Sequence, residues 1–300
     1  MKLIQISRIK WDEEITKTKT NIFSSSQWIE LTTEVFVKKV KYFKAEINSN
    51  YYLLFLVFNN QSTISYSIGF IGYEGIIPFN SNNLDLVEVD LKLLTSMLKE
   101  EIGVLPEKIL LGLNNVPKLY NIPEFISKVN SAQVLDISKD VNYIFENLLS
   151  SSIRTAIKRT TKDKVYIVKK CDHQLLLQSF ELLKNTQKLV GASYITPYKL
   201  FQSLSYSPFS QLFIARLETN VIAIGICLFS SEEAFFLLNG WNRSYASSCS
   251  NQLLIWEMIK AAKKRNINTF NLGISHSDNL KLSKLKWGAS NFYVTIMEKN

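Results

Sequence analysis

The chain carries few groups able to do nucleophilic or acid–base chemistry. Among 300 residues there are two histidines, His173 and His276, and three cysteines, Cys171, Cys227 and Cys249. His276 lies in the polar stretch Ile274-Ser275-His276-Ser277-Asp278, just beyond a short run that reads as a strand. Loops at strand ends commonly carry reactive groups, and an imidazole there could take the proton of an attacking ammonium. The plainer alternative is a solvated loop histidine. His173, after Asp172 at a helix start, reads as a surface residue. The cysteines are odd in number and unclustered, which fits a reducing compartment and excludes a metal knuckle. Two histidines and scattered cysteines do not make a catalytic metal site. No Ser-His-Asp motif, P-loop or dinucleotide fingerprint is present.

Charge and glycine usage bound the rest. Lys and Arg total 35 against 26 Asp and Glu, a net charge of +9. Most of the excess is dispersed lysine; only Arg154–Lys164 concentrates it. That basic helix either recognises a tRNA, an acidic carrier protein or a leader peptide, or is a solvated face. There are 10 glycines, where ordinary usage gives about 21, so each one is more informative about the backbone. The longest apolar run, Tyr51–Phe58, is one strand long and no membrane span. Met1–Lys10 does not read as a signal peptide. A cytoplasmic globular protein is expected.

The elements that must position these residues follow from periodicity. Leu3–Ile9 reads as a strand. Ser24 to Gln27 offers a capping box for a helix with Trp28, Leu31 and Val35 on one face. Val40–Ile47, Tyr51–Phe58 and Ile64–Ile71 are strand candidates. Leu91, Leu94, Leu98 and Ile102 recur at helical spacing, and Lys108–Leu113 reads as a buried strand. Residues 114–138 look irregular, and Val141–Leu149 and Ile153–Thr160 helical. The second half runs Val165–Lys169 (strand), His173–Lys188 (helix), a short helix after Pro197, and strands Gln211–Leu217, Val221–Phe229 and Ala234–Gly240. Helix Asn251–Arg265, strand Thr269–Leu272, helix Leu280–Lys286 and closing strand Phe292–Met297 complete it. The order strand, helix, three strands, helix, strand occurs twice. It predicts a duplicated α/β fold with a mixed sheet, divided into domains 1–138 and 139–300.

Four passages carry a family likeness: Ser26-Gln27-Trp28, Gly72-Tyr73-Glu74-Gly75, Leu253-Leu254-Ile255-Trp256 with Asn271-Leu272-Gly273, and Lys284-Leu285-Lys286-Trp287-Gly288. In this order they resemble the GNAT superfamily of acyltransferases, in its tandem, Fem-like branch. The resemblance implies a donor site in the C-terminal domain, beside the strand bearing Leu238 and Asn239 and at the helix start from Ser248 through Ser250 to Asn251. The family's glycine-rich pyrophosphate turn corresponds to Arg243-Ser244-Tyr245-Ala246-Ser247-Ser248, where Ala and Ser replace glycines. Helix-start amides can still hold an anion, but Ala246 limits backbone approach. Lys284 is implied as an oxyanion or phosphate contact. Trp241 and Asn242 stand where donor or acceptor would run, Tyr73 where it would line an acceptor pocket, and Trp287 beside substrate or as packing.

The resemblance implies an N-acyltransferase. It would move an acyl group from an acyl thioester, on coenzyme A or an acyl carrier protein, to a primary amine of a sugar, small molecule or peptide. His276 and Lys284 are the expected catalytic groups; no tightly bound cofactor or metal is expected. The alternatives are aminoacyl transfer from a charged tRNA to a peptidoglycan precursor, and an inert binding protein that keeps the fold.

Overall fold

The computed structural model describes residues 1–18, 21–59, 65–79, 88–170 and 172–300. The chain forms two compact units, one of residues 1–131 with 292–300, the other of residues 132–291.

The first unit runs β1 (Lys2–Ile6), α1 (Arg8–Ile15), a 3-10 turn (Ile22–Ser24), α2 (Ser26–Val35), β2 (Lys39–Ile47), β3 (Asn50–Phe58), β4 (Tyr66–Ile68), β5 (Ile76–Phe79), α3 (Glu88–Ile102) and β6 (Lys108–Asn114). The expected first strand stops at Ile6, and α1 follows, capped by the Ser7 hydroxyl. Only Trp11 and Glu14 of α1 are buried, so its sequence has no apolar stripe to reveal it. α2 is capped by Ser25, which accepts from Trp28 N at 3.2 Å; Ser24 instead turns its hydroxyl to Glu74 Oε2 at 2.5 Å. The buried face is Trp28, Ile29, Thr32 and Thr33, not the expected stripe of Trp28, Leu31 and Val35. Asn48 and Ser49 make the two-residue β2–β3 turn with φ of 49° and 65°, the geometry that matches strand twist. The third expected strand, Ile64–Ile71, shrinks to Tyr66–Ile68; Ile64 lies outside the described residues.

The stretch 114–138, which looks irregular in sequence, holds a 12-residue strand, β7 (Phe125–Asp136). The division between units falls within it. A helical turn, α4 (Val141–Tyr143), then passes into a π-helical turn (Ile144–Leu148), in place of one longer helix. The second unit continues with α5 (Ser151–Lys162), β8 (Tyr166–Val168), α6 (His173–Leu189), α7 (Tyr198–Tyr206), β9 (Ser210–Leu217), β10 (Asn220–Phe229) and β11 (Glu233–Trp241). A 3-10 stretch (Arg243–Ser248), α8 (Ser250–Lys263), β12 (Thr269–Ile274) and α9 (Asp278–Leu285) follow. Its sheet runs β8-β9-β10-β11-β12 with residues 132–136 of β7 beyond. All these pairings are antiparallel except β11–β12. The closing strand, Ser290–Lys299, pairs antiparallel with β6 and belongs to the first unit. The first unit is thus completed by a strand from the other end of the chain, whereas the second is the continuous segment 132–291.

The second core is built where α8 packs Leu254, Met258 and Ala262 onto the sheet. Glycine lets the elements approach here. A Cβ on Gly225 would meet the Met258 methyl at 2.5 Å, and one on Gly240 would lie 2.8 Å from Leu183 Cα. Gly240→Ala therefore forces α6 away from β11 and is expected to cost about 1–3 kcal/mol. Urea denaturation measures this, and wild-type stability in the variant would contradict that approach.

Candidate active site

β11 and β12 are parallel neighbours for only three residue pairs: Glu233↔Thr269, Ala234↔Phe270 and Phe235↔Asn271. Beyond them the strands part, and Phe236–Gly240 has no strand partner on that side among the described residues. Two irregularities make the separation. In β11 the register with β10 shifts so that Cys227 faces Phe236 and Ile226 faces Leu238, leaving Leu237 as an extra residue. Such a bulge bends and twists its strand. In β12 the register with β7 shifts between Asn271 and Ile274, where Gly273 adopts φ +80°.

The polar groups of parted strands need partners. Asn271, fully buried, donates from Nδ2 to Glu233 Oε1 at 2.8 Å and accepts the Gly273 amide at Oδ1, also at 2.8 Å. Lys284 Nζ, reaching back from α9, donates to the carbonyls of Gly273 and Ile274, each at 2.8 Å. At the far end of β11, Thr186 of α6 holds the Trp241 backbone, accepting its N–H at 2.9 Å and donating to its carbonyl at 3.2 Å. Between these clamps the edge of β11 faces an opening.

The start of α8 borders that edge. Asn239 Nδ2 donates to Ile224 O at 3.0 Å and to Asn251 Oδ1 at 3.1 Å, tying β11 to the first turn of the helix. Cys249, at φ +53°, leads into Ser250. Unpaired amides and the helix dipole make this end attractive to an anion. The turn before it is occupied with itself: Asn242 Oδ1 accepts from Ser244 N at 3.0 Å, and the Ser248 hydroxyl donates to Tyr245 O at 2.7 Å. Arg243 and Ala246 are exposed.

The residues singled out in sequence fall into three sets. Leu238, Asn239, Trp241, Asn242, Ser250 and Asn251 lie along the open edge or at the start of α8, and Lys284 is bonded to the end of β12. His276 is exposed in the loop after β12. Its neighbour Ser275 bonds the buried Gln133 at 2.5 Å. Trp287 is only 3% exposed and packs in the second core, while Gly288, at φ +81°, passes over the Leu148 carbonyl. That is a packing position, without a surface for substrate. Tyr73 belongs to the first unit, buried edge-on against Phe23. Cys171 lies outside the described residues, and His173 is exposed at the first position of α6.

In the first unit, element order puts β4 and β5 where the second has β11, and β6 where it has β12. There the break between β4 and β5 is filled by the turn 69–75, tied by Gly75 N to Leu110 O at 2.9 Å. Gly72, at φ +126°, has no room for a Cβ beside Phe23. Glu74 lies against Ser24 and Gly112, and burial pushes its carboxyl up to about 7. Glu74 stands in the quoted Gly72-Tyr73-Glu74-Gly75 passage without a role there; its only sequence signal is a carboxylate inside a Gly/Tyr turn between apolar strands. Leu237 carries no signal and Asn271 stands only in the quoted Asn271-Leu272-Gly273 passage, because a bulge and a buried amide have no sequence period.

Residues 152–281 match the family model described as an acetyltransferase (GNAT) domain. Across both units the fold is similar to FemX (13% identity, 98% of this chain and 97% of that chain, TM-score 0.68). It is also similar to a conserved protein of unknown function from Bacteroides thetaiotaomicron (11% identity, 99% of each chain, TM-score 0.60). A third likeness is to a tandem GNAT protein of the clavulanic acid biosynthesis pathway, solved without AcCoA (7% identity, 99% and 98%, TM-score 0.56). No curated protein sequence matches the chain. The chain thus has the fold of tandem GNAT proteins, and the segment that matches the GNAT domain lies in its second unit. Among the described residues no group of His, Cys, Asp and Glu is arranged to hold a metal, and no helix is long and apolar enough to cross a membrane.

Burial lowers the Lys284 ammonium to about 8 from its ordinary 10.5. Neutral Lys284 keeps two N–H donors for its two carbonyls, so deprotonation relieves the desolvation cost without losing the bonds. Between pH 8 and 10.5 the unfolded chain binds more protons at this residue than the folded one, so its contribution to stability grows with pH. The stability difference between wild type and Lys284→Met, from urea titrations at pH 7.5 and 10, is expected to move in favour of wild type at the higher pH. A pH-independent difference would contradict a desolvated Lys284.

Proposed function

We propose that the chain is an N-acyltransferase that takes an acyl group from a thioester, on coenzyme A or a carrier protein, to a primary amine. The observation that carries this reading is the parting of β11 from β12 beside the start of α8, within the segment matching the GNAT domain. The acyl-bearing arm lies along Phe236–Gly240, near Leu238 and Asn239, with its anionic part toward Arg243, Ala246, Ser248 and the amides at Ser250 and Asn251. Trp241 and Asn242 border the acceptor. The thioester is a co-substrate and leaves with each turnover.

The reaction balances without a metal. An ammonium acceptor loses a proton, its nitrogen attacks the thioester carbonyl carbon, the C–N bond forms, and the C–S bond breaks. The thiol leaves with one proton and one is released to water. The exposed His276 accepts the ammonium proton. Lys284, with two of its donors on carbonyls, has a third for the developing oxyanion. Most of the acceleration comes from holding amine and carbonyl together.

A second reading, favoured by the likeness to FemX, is aminoacyl transfer from a charged tRNA to a peptidoglycan precursor; it requires binding that weakens steeply with salt. The self-bonded turn Arg243–Ser248 favours a third, an inert binding protein.

Incubation with acyl-CoA or acyl carrier protein and a panel of amines, read by mass spectrometry, separates the three. Amide formation is expected. Asn239→Ala frees the start of α8 and is expected to raise the donor KM about ten-fold, the scale of one hydrogen bond. No transfer from any thioester, and no shift of melting temperature by one, would overturn the reading.

A further inference from the structure

The basic helix noted in the sequence is α5. Ile153, Ile157 and Thr160 are its buried face, and Lys158, Arg159 and Lys162 are exposed. Between α5 and α8 runs a groove of about 610 Å³. Phe145, on the π-helical turn, Ile157 and Trp256 form its apolar floor. Lys158 and Lys162 stand one helical turn apart on one rim, with Lys260 of α8 among the lining residues, and no carboxylate lines the groove. Lys260 is paired with Glu257, which also meets Lys169 at 3.3 Å, and Arg159 is paired with Asp163 at 3.7 Å. Lys158 lies over the Phe145 ring, 5.5 Å from its centroid. Neither Lys158 nor Lys162 has a carboxylate within ion-pair distance among the described residues.

An apolar floor between two helices, with uncompensated cations along one rim, complements a helix that carries apolar side chains and carboxylates. It is a poor nucleic-acid platform, because single-strand binders present ring faces to bases. Trp256 is only 7% exposed, and the Phe145 face is under Lys158. The groove is also tied to the opening beside β11. The Thr160 hydroxyl donates to the carbonyls of Ser248 at 2.7 Å and Cys249 at 3.2 Å, directly before α8. Trp256 follows Asn251 by about 8 Å of helix rise. Within the turn Arg243–Ser248 the Ser244 amide and the Ser248 hydroxyl are already bonded, and a carrier seated on α5 and α8 adds contacts to those of its arm.

We infer that the groove between α5 and α8 docks an acidic amphipathic helix of the protein that carries the acyl thioester. This rests on thioester transfer as the activity. It assigns the donor to a carrier protein over free coenzyme A, with the carrier seated on α5 and α8 and its arm entering along β11.

The test compares kcat/KM for one acyl group delivered from acyl carrier protein and from acyl-pantetheine, in wild type, Lys158→Glu/Lys162→Glu and Lys158→Gln/Lys162→Gln. The ratio of carrier to pantetheine is expected to fall about ten-fold or more on charge reversal, as rim charges act on encounter. It is expected to fall less in the glutamine pair, and to recover when acidic helix residues of the carrier are changed to lysine. A wild type without preference for the carrier, or a ratio that neither pair changes, would overturn the docking site. Failure of every thioester, or transfer only from charged tRNA, would instead overturn thioester transfer itself and the carrier assignment with it.

Discussion

Three residue pairs join β11 to β12, and the opening in the second unit exists because the pairing stops there. Ending a parallel ladder inside a sheet exposes amides and carbonyls that must find other partners or cost free energy. This chain supplies them from side chains: Asn271 for the Gly273 amide, and Lys284 for the Gly273 and Ile274 carbonyls. On the other strand, Thr186 serves the last residue, Trp241. The extra residue Leu237 turns β11 aside, and the Glu233–Asn271 bond closes the base of the gap. α6 and the start of α8 are both bonded to the parted strand, through Thr186 to Trp241 and through Asn251 to Asn239.

The two units share an element order and differ at this point. The first fills the corresponding place with the turn 69–75, packing Tyr73 against Phe23 and burying the Glu74 carboxyl. The duplication therefore leaves one opening of this kind among the described residues, in the segment that matches the GNAT domain. The closing strand pairs with β6, so the first unit is completed from the far end of the chain, while the second is the unbroken segment 132–291.

Long, periodic elements were legible in the sequence. α3, α6, α8 and the β9–β11 meander announce themselves through apolar faces that the structure buries. α1 was not, since Arg8–Ile15 is mostly charged and buries just Trp11 and Glu14. β7 was hidden by Ser127, Lys128, Asn130, Ser131 and Gln133, whose polarity masks the strand alternation. Site residues were legible where they sit on such elements, as Asn239 and Asn251 do. The partners of Lys284 are backbone carbonyls, and no pattern of side chains reveals them. For Trp287 the motif left two readings open, beside substrate or packing, and its burial fits the packing one. The missing glycines of Arg243–Ser248 acquire a physical meaning, because the turn bonds to itself and to Thr160.

Amide hydrogen exchange with and without saturating acyl-pantetheine tests most directly whether the parted strands receive the donor. Slower exchange at Phe236–Gly240 and at Ser250–Asn251, with the rest of the second sheet unchanged, is the expected result. Protection confined to the first unit, or unchanged exchange along Phe236–Gly240 under turnover conditions, would contradict a donor site between β11 and β12.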